Sequence, residues 1–121
     1  EPVITGDMVE PGMHINAAGN NSWMKRELDT AAIDKANLVA TDDIDQAKIE
    51  CGELMRAAEI GRFSWDSLVR LDSIVAGVRT ARTSDNDITL FESQGVAFED
   101  IAVCGRLYEL ALERGIGTEL G

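Results

Sequence analysis

Apolar positions along this 121-residue chain switch repeatedly between short extended runs and helical spacing. Residues 13–18 (MHINAA) form a compact apolar run that enters the polar loop Gly19-Asn20-Asn21-Ser22, so they read as a strand and its exit loop. Within 26–36, Leu28, Ala32 and Ile33 fall on one side of a helix. Residues 38–41 (LVAT) make a second strand, closed by Asp42-Asp43, and Asp43 is placed to cap the helix that follows. That helix turns Ile44, Ala47, Cys51, Leu54 and Met55 inward and is broken by Gly61. Residues 64–77 are less regular and suggest a short helical turn over 68–76.

The last third carries the clearest pattern. Ser84-Asp85-Asn86-Asp87 is a cluster of turn formers, residues 88–91 (ITLF) are β-branched and aromatic, and Gly95 allows a sharp reversal. Ala97, Ile101, Cys104, Tyr108 and Ala111 then recur at helical spacing, with Glu99, Arg106 and Glu113 opposite. Glu99 and Asp100 in the first turn and Arg114 in the last suit the helix dipole, and Gly115 ends the helix. Near the start, Asp7 is placed to cap a short turn before Pro11-Gly12.

Strand, helix, strand, helix, strand, helix predicts a three-layer α/β fold, with a short parallel sheet of about three strands and helices on both faces. Residues 1–121 form one domain. Three strands are few for a parallel sheet, and the chain opens at Glu1-Pro2-Val3 without an initiator methionine. Both point to a piece of a larger protein, or to a short gene product descended from one.

Composition narrows the partners. Aromatic residues are only 5% of the chain, so the core must be built from Ala, Val, Ile and Leu. The net charge of −11 argues against nucleic acid and anionic membrane, which call for a basic face. No apolar run is long enough to span a bilayer. Cys51 and Cys104 sit in helical pattern with no metal or redox spacing, as free core thiols in a reducing cytoplasm.

Two segments, PGMHINAAGNNSWMKRELD (11–29) and RTSDNDITLFESQGVAFEDIAVCGRLYELALERGIGTEL (82–120), resemble the ornithine cyclodeaminase/mu-crystallin family. The resemblance runs in order over most of the chain. It implies an NAD(P)-dependent protein acting on an amino or imino acid, as an ornithine cyclodeaminase, an amino-acid dehydrogenase or a ketimine reductase. In a full Rossmann sheet the 13–18 strand would pair with a strand that this chain lacks. Its open edge predicts a homodimer or higher oligomer, with a dimer favoured, joined through this edge or the adjacent helices. In that family this chain would be the second half of the Rossmann domain. The G-x-G-x-x-G turn that meets the pyrophosphate is absent from the sequence, so the chain would supply only the nicotinamide-side wall of a site.

The resemblance also carries residues. Ala18, Gly19 and Asn20 lie in the loop that runs beside the nicotinamide, and Ser93 with Gln94 in a second cofactor-side pair. Lys25 falls on a cofactor-contact position. Counting G-x-x-x-x-x-K from Gly19, Asn21 stands where ornithine cyclodeaminases carry an acid–base aspartate. A carboxylate can take and return a proton and an amide cannot, so Asn21 favours hydride chemistry over ornithine cyclisation. The competing reading is a non-catalytic truncated domain serving as an oligomeric binding or interaction module.

Other conspicuous residues read as structural. His14 lies inside a strand between Met13 and Ile15 and is expected to be packed and satisfied. Asp85, Asp87 and Glu92 have no metal-ligand spacing. Trp23 and Trp65 are expected as part of the core or of an interface.

Overall fold

The computed structural model describes residues 1–20, 22–118 and 120. Four parallel strands are laid down in the order β1 (His14–Ala17), β2 (Leu38–Thr41), β3 (Val69–Arg70) and β4 (Thr89–Glu92). Their spatial order is β1-β4-β2-β3. The three strands expected from the sequence are present. The fourth, β3, is two residues inside the irregular 64–77 stretch, too short for a period to register. It leads directly into α4 (Leu71–Val75).

Register explains how the sheet buries itself. Ile15, Leu90 and Val39 lie in one cross-strand row, and Ala17, Glu92 and Thr41 in a second. Side chains alternate along a strand, so both rows share one face. That face is covered by α1 (Thr30–Lys35), α2 (Ile44–Glu50) and α3 (Gly52–Glu59). Ala32, Ile33, Ala47, Cys51, Leu54 and Ala57 pack with Ile15, Ala17, Val39 and Leu90 into the core. The core is aliphatic, as the composition required; fully burying a side chain such as Leu28, Leu54 or Leu90 is worth roughly 1.5–3 kcal/mol. On the opposite face, Leu71 and Ile74 of α4 border a hollow shared with His14, Leu38, Ala40 and Phe91.

Local chemistry sets the helix ends. Asp29 Oδ1 accepts from the Ala32 amide at 2.7 Å, which starts α1 at Thr30 rather than at Arg26. Asp43 Oδ1 accepts from the Gln46 amide at 2.8 Å and caps α2 as expected. The helix predicted to run unbroken to Gly61 is two helices that pivot at Cys51, which closes α2 and opens α3. The pivot serves a contact: a Cβ on Gly52 would lie 2.2 Å from the Lys25 carbonyl and 2.8 Å from that of Trp23. Only glycine lets the 22–25 loop rest on the start of α3.

α5 (Ala97–Arg114) has the predicted length, dipole charges and glycine stop, with Gly115 in the left-handed region. Its predicted inward face is not inward. Every residue of the helix is exposed except Leu110 and Ala111, which are half-buried. Cys104 is therefore an exposed thiol and Cys51 a buried one, which corrects the expectation that both lie in the core. The amphipathic pattern is real, but no described element covers it.

His14 is exposed on the sheet's second face, and both its ring nitrogens have partners: Thr89 Oγ1 at 2.8 Å and Asn16 Oδ1 at 3.1 Å. Trp65 is half-buried, edge-on to Phe63, whereas Trp23 is largely exposed. Among the described residues, no helix is long and apolar enough to cross a membrane.

Candidate functional site

β1 and β4 are adjacent and parallel, with Ala17 opposite Glu92, so their exit loops emerge side by side. The Ser93 amide donates to the Ala17 carbonyl at 2.9 Å and extends the pairing one residue past β4. Beyond it the loops part around a cavity of about 300 Å3, lined by Ala18, Gly19, Asn20, Ser93, Gln94 and Gly95. Five of these six are the residues that the sequence singled out for cofactor contact. They come together at the carboxyl ends of the strands, where open α/β sheets bind ligands.

Asp42, at the end of β2, fixes the second loop. Its carboxylate accepts from the amides of Gln94 at 2.9 Å, Gly95 at 2.8 Å and Asp43 at 2.8 Å, and from Ser93 Oγ at 3.2 Å. Burial alone would raise the Asp42 pKa. The bonds from Gly95, Gln94, Asp43 and Ser93 outweigh it and hold the carboxyl below its usual range. Gly95 turns with φ +73°, a conformation that side chains disfavour.

Asn20 fixes the first loop. Its Nδ2 donates to Glu53 Oε2 at 2.9 Å and to the Lys25 carbonyl at 2.7 Å, and its Oδ1 accepts from the Ser22 amide at 3.1 Å. The Gly19 amide donates to Glu27 Oε2 at 3.0 Å. Glu53 is only 1% exposed, and its Oε1 accepts from the Glu27 amide.

Among the described residues, none that lines the cavity is charged. The Gln94 and Gly95 amides, which could have met an anion, are taken by Asp42. A small uncharged group carrying its own hydrogen-bonding atoms suits this lining, and a pyrophosphate does not. Both polar atoms of the Gln94 side chain are buried without a partner, an arrangement that calls for one.

Other expected residues stand apart. Lys25 borders a separate hollow with Glu1, Pro2, Met24 and Arg26, and it joins the loop through its backbone: the carbonyl accepts from Asn20 and the amide donates to the Ser22 carbonyl. Asn21 lies outside the described residues. A larger hollow of about 590 Å3, bordered by Met55, Phe63 and Trp65, shares no residue with the strand ends. Among the described residues, no group of His, Cys, Asp or Glu is arranged to hold a metal ion.

Asp42, Glu27 and Glu53 escaped the sequence reading. Asp42 was read only as the end of a strand, although an acid directly after a parallel strand is well placed to accept amides from a neighbouring loop. Glu53 had no signal: a glutamate in the first turn of a helix is ordinarily solvated.

Parallel strands, helical crossovers and paired loops at the strand ends define a Rossmann-type α/β domain. The chain belongs to the Ornithine cyclodeaminase/mu-crystallin family, whose sequence profile matches residues 1–115. It is 37% identical over 121 residues to an alanine dehydrogenase of Archaeoglobus fulgidus, covering 99% of this chain and 37% of that protein. The structure of Thermococcus litoralis Delta(1)-pyrroline-2-carboxylate reductase in complex with NADH and L-proline matches with a TM-score of 0.89 and 34% identity, over 98% of this chain and 37% of that one. An archaeal alanine dehydrogenase dimer with bound NAD matches with a TM-score of 0.84 and 36% identity, over 100% of this chain and 38% of that one. The chain thus spans little more than a third of the length of these relatives.

Proposed function

We propose that this chain forms the nicotinamide-side wall of an NAD(P) site in an oxidoreductase acting on an amino or imino acid. The observation that carries the reading is the uncharged cavity between Gly19-Asn20 and Ser93-Gln94, at the carboxyl ends of adjacent parallel strands. Ala18, Gly19, Asn20, Ser93 and Gln94 line the cavity and contact the ring end of the cofactor. When bound, the cofactor supplies or accepts the hydride. The chain's own task is to hold the ring in place and exclude water from it. The pyrophosphate is held by residues outside this chain, and Lys25 serves the outer part of the cofactor. Asn21 orients substrate by hydrogen bonding and moves no proton, which favours a dehydrogenase or reductase over a cyclodeaminase.

The test is a chimera in which the remaining part of a relative completes the chain. NADH binding should appear, and Ala18→Phe, which fills the cavity from an exposed position, should weaken it at least tenfold with the fold unchanged. Equal affinity in the two forms would overturn the reading.

Assembly belongs to the same proposal. β1 is an edge strand, and Phe98, Ile101, Val103, Leu107, Tyr108 and Leu112 of α5 are all more than half exposed. A helix of this kind is stabilised chiefly by what it packs against, which supports a homodimer formed through α5 and the β1 edge. The two free thiols favour a cytoplasmic setting. The same apolar helix also favours a second reading, in which the chain acts as a non-catalytic oligomeric module. Binding of NADH to the completed chimera separates the two.

A further inference from the structure

Beneath the Asn20 loop lies a group of buried polar side chains that cofactor contact does not require. Glu92 closes the second cross-strand row and is 2% exposed, and its Oε1 has no hydrogen-bond partner. Its neighbours in the sheet are Ala17 and Thr41, neither of which titrates. From the pivot between α2 and α3 comes the Cys51 thiol, from α3 the Glu53 carboxyl, and from the loop Glu27. Among the described residues, no cation faces Glu92 from any of these elements. Glu92 stands on the sheet face that α3 covers, and both it and Glu53 are buried. Two neighbouring carboxyl groups out of water cannot both be ionised without a large penalty.

Glu53 is the member with work at the surface. It spends one oxygen on the Asn20 side chain and the other on the Glu27 amide, and both bonds require it to accept. The 22–25 carbonyls rest against Gly52, the residue just before it. We propose that Glu53 and Glu92 act together as positioning residues for the Asn20 loop: Glu53 holds Asn20 from below, and Glu92, seated behind it, permits this only as the neutral acid. The inference rests on reading the cavity as the cofactor site, since that is what gives the loop's position its importance. Burial first, and then the Glu53 charge, push the Glu92 carboxyl up to about 9. The Cys51 thiol beside it opposes this in part, and Glu27 adds to it. Glu92 is thus neutral at pH 7 and charges only in alkali, when repulsion between the two carboxylates acts directly on the group that holds Asn20.

Carbon-detected NMR on the 121-residue chain tests this, with 13C in the Glu carboxyl and Asn carboxamide carbons. The Asn20 carboxamide signal should move in a single step together with the Glu92 carboxyl, near pH 9, while the methyl signals of Ala32 and Leu54 stay still. In Glu92→Gln that step should vanish, with Asn20 fixed at its neutral-pH position. Glu53→Gln should displace the Asn20 signal at every pH. The proposal is overturned if Asn20 does not respond as Glu92 titrates, if Glu92 titrates in the ordinary carboxylate range, or if the core methyls move in the same step. Should Glu92→Gln fail to fold, the wild-type titration alone still decides. No nucleotide is present, so failure here leaves the cofactor reading intact, and failure of the NADH titration leaves this result intact.

Discussion

Oδ2 of Asp42 lies 2.8 Å from the amide nitrogen of Gly95, joining the end of β2 to the elbow between β4 and α5 across 53 residues of sequence. The same carboxylate takes the Gln94 amide and the Ser93 hydroxyl. One side chain therefore sets the shape of an entire wall of the candidate site, and it does so by removing the amide donors that an anionic ligand would need.

Asp42→Ala should cost about 1–3 kcal/mol at pH 7, the usual penalty for unpairing buried donors from a charged acceptor, read from urea unfolding. The folded-state pKa of Asp42 lies below its ordinary value. Its contribution is therefore present above the unfolded pKa, near 3.8, and is lost as pH falls through the folded one. The wild type and the variant should converge in acid. A constant difference down to the acid transition would show that Asp42 acts through packing alone.

Glu92 has the opposite sign. Its carboxyl rises from 4.5 to about 9 on folding, so the folded state holds a proton that the unfolded chain releases. The stability this gives is complete below the unfolded pKa and drains away between about 4.5 and 9. Glu92→Gln should gain stability relative to the wild type steadily across that window, at a rate of up to about 1.4 kcal/mol per pH unit. Parallel stability curves for the two proteins would refute a neutral Glu92.

Assembly should respond to α5 and not to the core. Ile15 lies at the sheet edge yet points into the core at 8% exposure, so Ile15→Lys should unfold the chain. Leu107→Glu, on the exposed face of α5, should yield a folded monomer by sedimentation. Burial of about 800 Å2 per partner is the scale of a stable pair. A wild-type chain that stays monomeric at tens of micromolar would remove the α5 interface.

Much of this was legible in the sequence, and the reasons differ by element. The Asp43 cap, the 38–41 strand and the dipole charges of α5 are local signals, and they survive into the structure unchanged. The two site loops were legible through their resemblance to the family, and the parallel pairing of β1 with β4 brought them together. The pivot at Cys51 was not legible, because its cause is the 22–25 backbone lying against Gly52 from far along the chain. The position of β4 between β1 and β2 is likewise a long-range outcome that no sequence period encodes. α5 misled in a different way: amphipathic spacing shows that a face will be buried, but not that the chain itself buries it.

Asn21 carries the chemistry of the reading. In a completed chimera, Asn21→Asp should raise proline formation from ornithine by at least tenfold, because a carboxylate restores a proton carrier. An unmodified chimera that already cyclises ornithine at the rate of its cyclodeaminase relative would contradict the assignment.

The most direct test is a 1H–15N NMR titration of the 121-residue chain with NADH. With the ring-side wall present and no glycine turn for the pyrophosphate, binding should be weak, at millimolar level or beyond. The shifted amides should be those of Ala18, Gly19, Asn20, Ser93, Gln94 and Gly95, with Lys25 beside them. Micromolar binding, or shifts gathered instead around Phe63 and Trp65, would contradict it.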